Sequence, residues 1–201
     1  KNKKHKESIK YAELLLISMK EYDSFLHDKY LFFYYNILVS NYAKTDKDKA
    51  LDYLNKASNN EVIKKLPSYT SFIYLNKALI YFHEDNFRQA QKNMSRLILQ
   101  EDFLFLDKGF QLKVLIADVI IRFKNGHQYI IDKIEDIRKN HKQLLLDEEY
   151  VRDREMINII SKKINDEDIA DDKKTILSSM SDYDSEDLDI ISYNFWLRNN
   201  L

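Results

Sequence analysis

The sequence predicts an all-α chain made of antiparallel helix pairs that repeat about every 40 residues. Three observations carry that prediction. Glycine occurs twice, at Gly109 and Gly126, and proline once, at Pro67, in 201 residues. A sheet protein of that length needs many more turn residues, whereas helices joined by short polar loops do not. Apolar residues recur at helical spacing almost throughout. Finally, the apolar positions of successive helices fall into columns with a fixed spacing.

The elements follow in order. A first helix is expected from about Ser8 to Phe25, with Ile9, Leu14, Leu16 and Ile17 apolar, and a second from Asp28 to Ala43. Thr45-Asp46 reads as the N-cap of a third, which ends near Ala57 before Ser58-Asn59-Asn60. Pro67-Ser68 opens a fourth through His83, and Asp85-Asn86 begins a fifth to about Leu99. A sixth runs from Phe103 to Lys124, where Asn125-Gly126 stops it with a residue suited to the left-handed conformation. Further helices are expected over His127–Leu145, Asp147–Ile164, Asp166–Met180 and Ser185–Asn199. Asp166-Glu167-Asp168 and Ser185-Glu186-Asp187 place negative charge at helix starts, where the helix dipole favours it.

Ala50, Ala90, Ile130 and Ala170 are each 40 residues apart, as are Ala57, Leu97, Ile137 and Leu177. In the partner helices the step is 39: Val39, Ala78, Ala117, Met156, and Tyr42, Tyr81, Ile120, Ile159. Stepping back by 40 reaches Leu14 and Ile17, so the first helix reads as the second half of a repeat. The expected organisation is one domain over 1–201: a half repeat at 8–26, pairs at 28–60, 68–100, 103–145 and 147–180, and a capping helix at 185–201. That last helix carries Leu188, Ile191, Phe195 and the single tryptophan, Trp196.

Tyr74-x3-Ala78-x2-Tyr81-x8-Ala90-x3-Met94-x2-Leu97 resembles the tetratricopeptide repeat, and Tyr35-x3-Val39-x2-Tyr42 with Ala50-x3-Leu54-x2-Ala57 resembles it one residue short. The small residues let paired helices approach, and the large ones fill the gap to the next pair. The period exceeds the family's roughly 34 residues, and Lys113 and Arg152 stand at the aromatic position of the third and fourth repeats. The resemblance implies a right-handed superhelix whose first helices line a concave surface; a HEAT-type α-α superhelix is the alternative. It also implies a groove lined by Phe33, Asn36 and Ser40, then by Phe72, Leu75, Leu79 and Phe82, then by Gln111, Val114, Asp118 and Ile121. Such a groove suits a protein or peptide partner.

Composition narrows the chemistry. The absence of cysteine excludes disulfides, thiolate catalysis and thiolate metal sites, and fits a reducing, cytoplasmic setting. The five histidines show no metal-ligand spacing, so no metal or cofactor is expected. Asp182-x-Asp184-x-Glu186 lacks the glycine and closing glutamate of a calcium loop. No apolar run approaches the roughly 18–20 residues of a membrane span, so no membrane partner is expected. The chain opens on Lys1 and not Met, as a processed or partial chain would, which leaves an upstream signal open. Net charge is −1, yet residues 141–189 hold 15 Asp/Glu against 7 Lys/Arg, an acidic stretch that argues against nucleic acid.

These features lead to a non-enzymatic protein- or peptide-binding scaffold as the first expectation. The second is the ligand-sensing part of a peptide-responsive transcriptional regulator. The third rests on Arg122-Phe-Lys-Asn-Gly-His127, which resembles the Arg-x4–6-His signature of HEPN-type ribonucleases. There, Arg122 would stabilise charge and His127 would shuttle a proton. Arg122 is also one turn from Asp118, where an ion pair is the ordinary outcome.

Overall fold

A computed structural model describes residues 5–21, 27–67, 69–126, 129–179 and 189–201. Among these residues every regular element is helical. The chain divides into two compact units, Lys1–Leu97 and Ile98–Leu201.

The first unit holds α1 (His5–Glu21), α2 (His27–Thr45), α3 (Lys47–Ser58), a 3-10 turn (Ile63–Lys65), α4 (Tyr69–His83) and nearly all of α5 (Phe87–Ile98). α1 packs on α2, α2 on α3, and α3 on α4. Asp46 caps α3 by accepting the Lys49 N–H at 3.1 Å. Ala50, Leu54 and Ala57 are fully buried and form the inner stripe of α3. Burying a leucine completely contributes about 2 kcal/mol, so this stripe defines how α3 sits. Tyr42 and Tyr53 stack with centroids 5.5 Å apart, and Tyr34 meets both Tyr35 and Tyr53 edge-on. Asn41 joins α2 to α1 by donating to Ser8 Oγ at 3.0 Å.

α1 does not bury the stripe that the 40-residue step assigns to it. Leu14 and Ile17 are 45% and 53% exposed, whereas Ala12 and Met19, on the opposite side of the helix, are buried. α1 therefore packs on α2 through a different face from the one α3 uses.

The second unit holds a 3-10 segment (Glu101–Phe105), α6 (Lys108–Lys124), α7 (Ile130–Asn140), α8 (Lys142–Leu146), a 3-10 turn (Glu148–Tyr150), α9 (Val151–Ile164), α10 (Ala170–Ser179) and α11 (Tyr193–Asn200). α6 starts five residues later than Phe103, because Asp107 caps it by accepting the Phe110 N–H at 2.9 Å. The helix expected over 127–145 is broken at His141, which leaves helical geometry (φ −118°, ψ 24°) between α7 and α8. Residues 127 and 128 lie outside the described residues, as do 180–188, which include the first residues of the expected capping helix, 185–188. Ile130, Ile134 and Ile137 line the buried side of α7, and Ala117, Ile120, Met156 and Ile159 are buried in α6 and α9. The column fails in α10, where Ile176 is buried and Ala170 is exposed.

The backbone carries the period more clearly than the side chains. Among the described residues, positive φ occurs at Asp85 (55°), Gly126 (68°) and Asp166 (55°), each two positions past the end of α4, α6 and α9. α4 ends with Asn86 N–H on Tyr81 O and Asp85 N–H on Phe82 O. α9 ends alike, with Glu167 N–H on Lys162 O and Asp166 N–H on Lys163 O. Both are Schellman closures with aspartate in the place glycine usually takes. Asp85 and Asp166 thus end helices, although the sequence suggests that they begin them. The starts belong to their neighbours: Asn86 Oδ1 accepts the Gln89 N–H, and Asp168 Oδ1 accepts the Ala170 N–H.

Candidate functional site

In the first unit, Phe33, Asn36 and Ser40 share one face of α2 through i, i+3 and i+7 spacing. Phe33 is 40% exposed and Ser40 is exposed, with Asn36 half-buried between them. Lys29 Nζ sits 5.7 Å from the centroid of the Phe33 ring. On α4, Phe72 is buried, and Leu75, Leu79 and Phe82 are half-buried. Phe32 links the two helices: its ring lies 6.3 Å from Phe33 and meets Phe72 edge-on at 5.0 Å. Phe82 meets Phe87 of α5 at 5.7 Å. The result is an aromatic seam between α2 and α4 with one accessible end, bordered by an amide and a hydroxyl. An arrangement of this kind suits an apolar side chain beside two hydrogen-bonding groups.

In the second unit the corresponding residues are inside. Val114 and Ile121 are fully buried, and so, nearly, are Gln111 and Asp118. Gln111 Nε2 donates to Leu106 O at 2.7 Å and to Leu104 O at 3.2 Å, which ties the 3-10 segment to α6. Asp118 Oδ2 accepts from Arg122 Nε at 2.7 Å. These two residues therefore serve the interior of the unit. Arg122 is committed to that pair, and His127 lies outside the described residues.

A buried polar cluster fixes the C-terminal helix, and sequence reasoning missed it. Arg152, on α9, donates from Nη2 to Asp189 Oδ2 at 2.9 Å and to Asn194 Oδ1 at 3.1 Å, and from Nη1 to Ile176 O at 2.9 Å. Asp189 Oδ2 also accepts the Tyr193 N–H at 3.1 Å. Tyr193 Oη donates to Asp153 Oδ1 at 2.8 Å. All five side chains are buried. Burial pushes the Asp153 carboxyl above its ordinary range, against the pull of Lys113 and the Tyr193 hydrogen bond. Burial raises Asp189 too, opposed by Arg152. It also raises the Tyr193 phenol, helped by Asp153 and Asp189, so the hydroxyl stays a donor.

Lys113 and Arg152 occupy the aromatic position of the repeat pattern, and both bear on this acidic pair. The trace the cluster leaves in the sequence is that Asp153 and Tyr193 are 40 residues apart, a spacing that does not by itself pair them. α11 then lays Trp196 edge-on to Phe123 at 5.8 Å and Asn200 against Lys124 Nζ at 2.7 Å, both on α6. Trp196 is 1% exposed, whereas Phe195 faces outward. α11 thus covers parts of α6 and α9, the first helices of the third and fourth pairs. Leu188 of the expected capping helix lies outside the described residues.

Among the described residues no group of His, Cys, Asp and Glu could hold a metal ion, and no helix is long and apolar enough to cross a membrane. Comparison of the chain with protein-family models, curated proteins and solved structures finds no match.

Proposed function

We propose that the chain is a non-enzymatic scaffold of tetratricopeptide type that binds a protein or peptide partner through the α2 and α4 face of its first unit. The observation that carries this reading is the Phe33–Phe32–Phe72 seam, open at Phe33 and flanked by Asn36 and Ser40. An accessible aromatic on a rigid helix with adjacent hydrogen-bonding groups is the usual anchor of a partner side chain. Support for the superhelical repeat comes from the left-handed closures at 85, 126 and 166 and from the buried column Val39, Ala78, Ala117 and Met156. The ion pair between Arg122 and Asp118 counts against the ribonuclease reading. The absence of cysteine favours a reducing compartment such as the cytoplasm as the place of action.

The test is site-specific photo-crosslinking. A benzophenone side chain is placed at Ser40, and in a control at Asp52, exposed on α3. The proposal expects one dominant crosslinked partner from position 40, lost in Phe33→Glu and absent from position 52. Equal labelling from both positions, or labelling indifferent to Phe33→Glu, contradicts it.

A further inference from the structure

A cleft of about 210 Å³ opens among α7, α8 and α9, lined by Arg138, Lys142, Leu145, Leu146, Arg154, Ile157 and Asn158. Its floor is apolar: Leu145 and Ile157 are buried, and Leu146 stands exposed at the rim. Its walls are cationic. Arg138 donates to Asn158 Oδ1 at 2.9 Å, which aims the guanidinium across the cleft. Arg154 is fixed by Leu145 O at 2.9 Å and by Glu155 at 3.2 Å. Lys142 has no hydrogen-bond or ion-pair partner among the described residues. Three positive side chains thus converge on one apolar hollow, with Glu155 as the adjoining carboxylate.

We propose that this cleft docks an acidic peptide segment of a partner protein that carries a large apolar side chain next to its carboxylate. The carboxylate meets Arg138 and Lys142, and the apolar side chain covers Leu145 and Ile157. The preset Arg138 guanidinium favours a planar carboxylate, and the apolar floor strengthens the pairing by excluding water. A bare anion would leave the floor uncovered. A polyanion would also have to approach the carboxylates of residues 141–179, where 10 Asp/Glu stand against 7 Lys/Arg. A short acidic segment meets far less of that repulsion. The site shares no residue with the α2 and α4 face and stands without it.

The experiment follows Leu and Ile methyl resonances of the intact chain during titration with acetyl-Glu-Leu-Phe-Asp-amide. The methyls of Leu145, Leu146 and Ile157 should shift together. The neutral twin, acetyl-Gln-Leu-Phe-Asn-amide, should bind about tenfold more weakly, as loss of a charge-assisted pair requires. Lys142→Glu should weaken the acidic peptide by at least as much, and Lys142→Gln by less. Lys142 is exposed and without a partner, so both variants keep the fold. Equal binding of the twins, or no methyl shift with either, overturns the proposal. So does inorganic phosphate binding as tightly as the peptide, or a single-stranded oligonucleotide binding more tightly.

Discussion

Asp153 shows how one buried group sets a pH dependence. Its folded-state pKa lies above the unfolded value because burial outweighs Lys113 and the Tyr193 hydrogen bond. The folded chain therefore holds this proton more tightly than the unfolded chain does. Its contribution to stability is present below the unfolded pKa, about 4, and is lost as pH rises through the folded pKa. Asp153→Asn keeps an oxygen acceptor for Tyr193 Oη and removes the titration. The wild type should thus lose stability relative to Asp153→Asn as pH rises from about 4, measured as urea midpoints at several pH values. Parallel pH profiles for the two proteins would sink this account. Arg152 was legible in the sequence only as a charge at the repeat's aromatic position, and Asp153 only as the charge beside it. Their partners come from about 40 residues downstream, Asp189 at the end of the acidic stretch and Tyr193 just beyond it. A long-range hydrogen bond leaves no local pattern, so spacing alone could not pair them.

Helix ends are where the sequence was both clearest and most misleading. Gly126 was readable as a stop because glycine alone takes φ near 68° without strain. Asp85 and Asp166 do the same task, but aspartate is also a favoured start signal, and the two roles compete in any local reading. The helices themselves were legible from apolar spacing, and Asp46 as a cap from its place before α3. The break at His141 was not, since Leu144 and Leu145 continue an apolar pattern past it. His141 is buried, and burial with Lys108 nearby lowers its pKa, so it sits in the break as a neutral ring. Gly126 has nothing within 4 Å of where a Cβ would stand, so Gly126→Ala tests the backbone alone. It should destabilise by about 1 kcal/mol through the left-handed penalty, read from denaturant unfolding. A neutral result would mean that α6 ends without needing that conformation.

At the scale of the chain, the two units treat their inner helices differently. In the first, Phe33 and Ser40 of α2 remain accessible. In the second, Gln111 and Asp118 are inside, and the chain's own C-terminal helix lies against α6 and α9. The groove residues of the first unit follow from the resemblance to the tetratricopeptide pattern, and the aromatic seam that joins them requires Phe32, which that pattern does not single out. The central claim about the second unit is that the Arg152 cluster holds α11 down. Trp196, the single tryptophan, reports on this directly because it is 1% exposed against Phe123. Removing Arg152 leaves the buried Asp189 carboxylate without its cation, at a cost of about 3–5 kcal/mol. The decisive measurement is Trp196 emission and acrylamide quenching in the wild type and in Arg152→Ala, without denaturant and with helicity followed by far-ultraviolet circular dichroism. The account predicts blue, quencher-resistant emission in the wild type, and red-shifted, quenchable emission in Arg152→Ala while most helicity remains. Blue, protected emission in Arg152→Ala with an unchanged unfolding midpoint would contradict it.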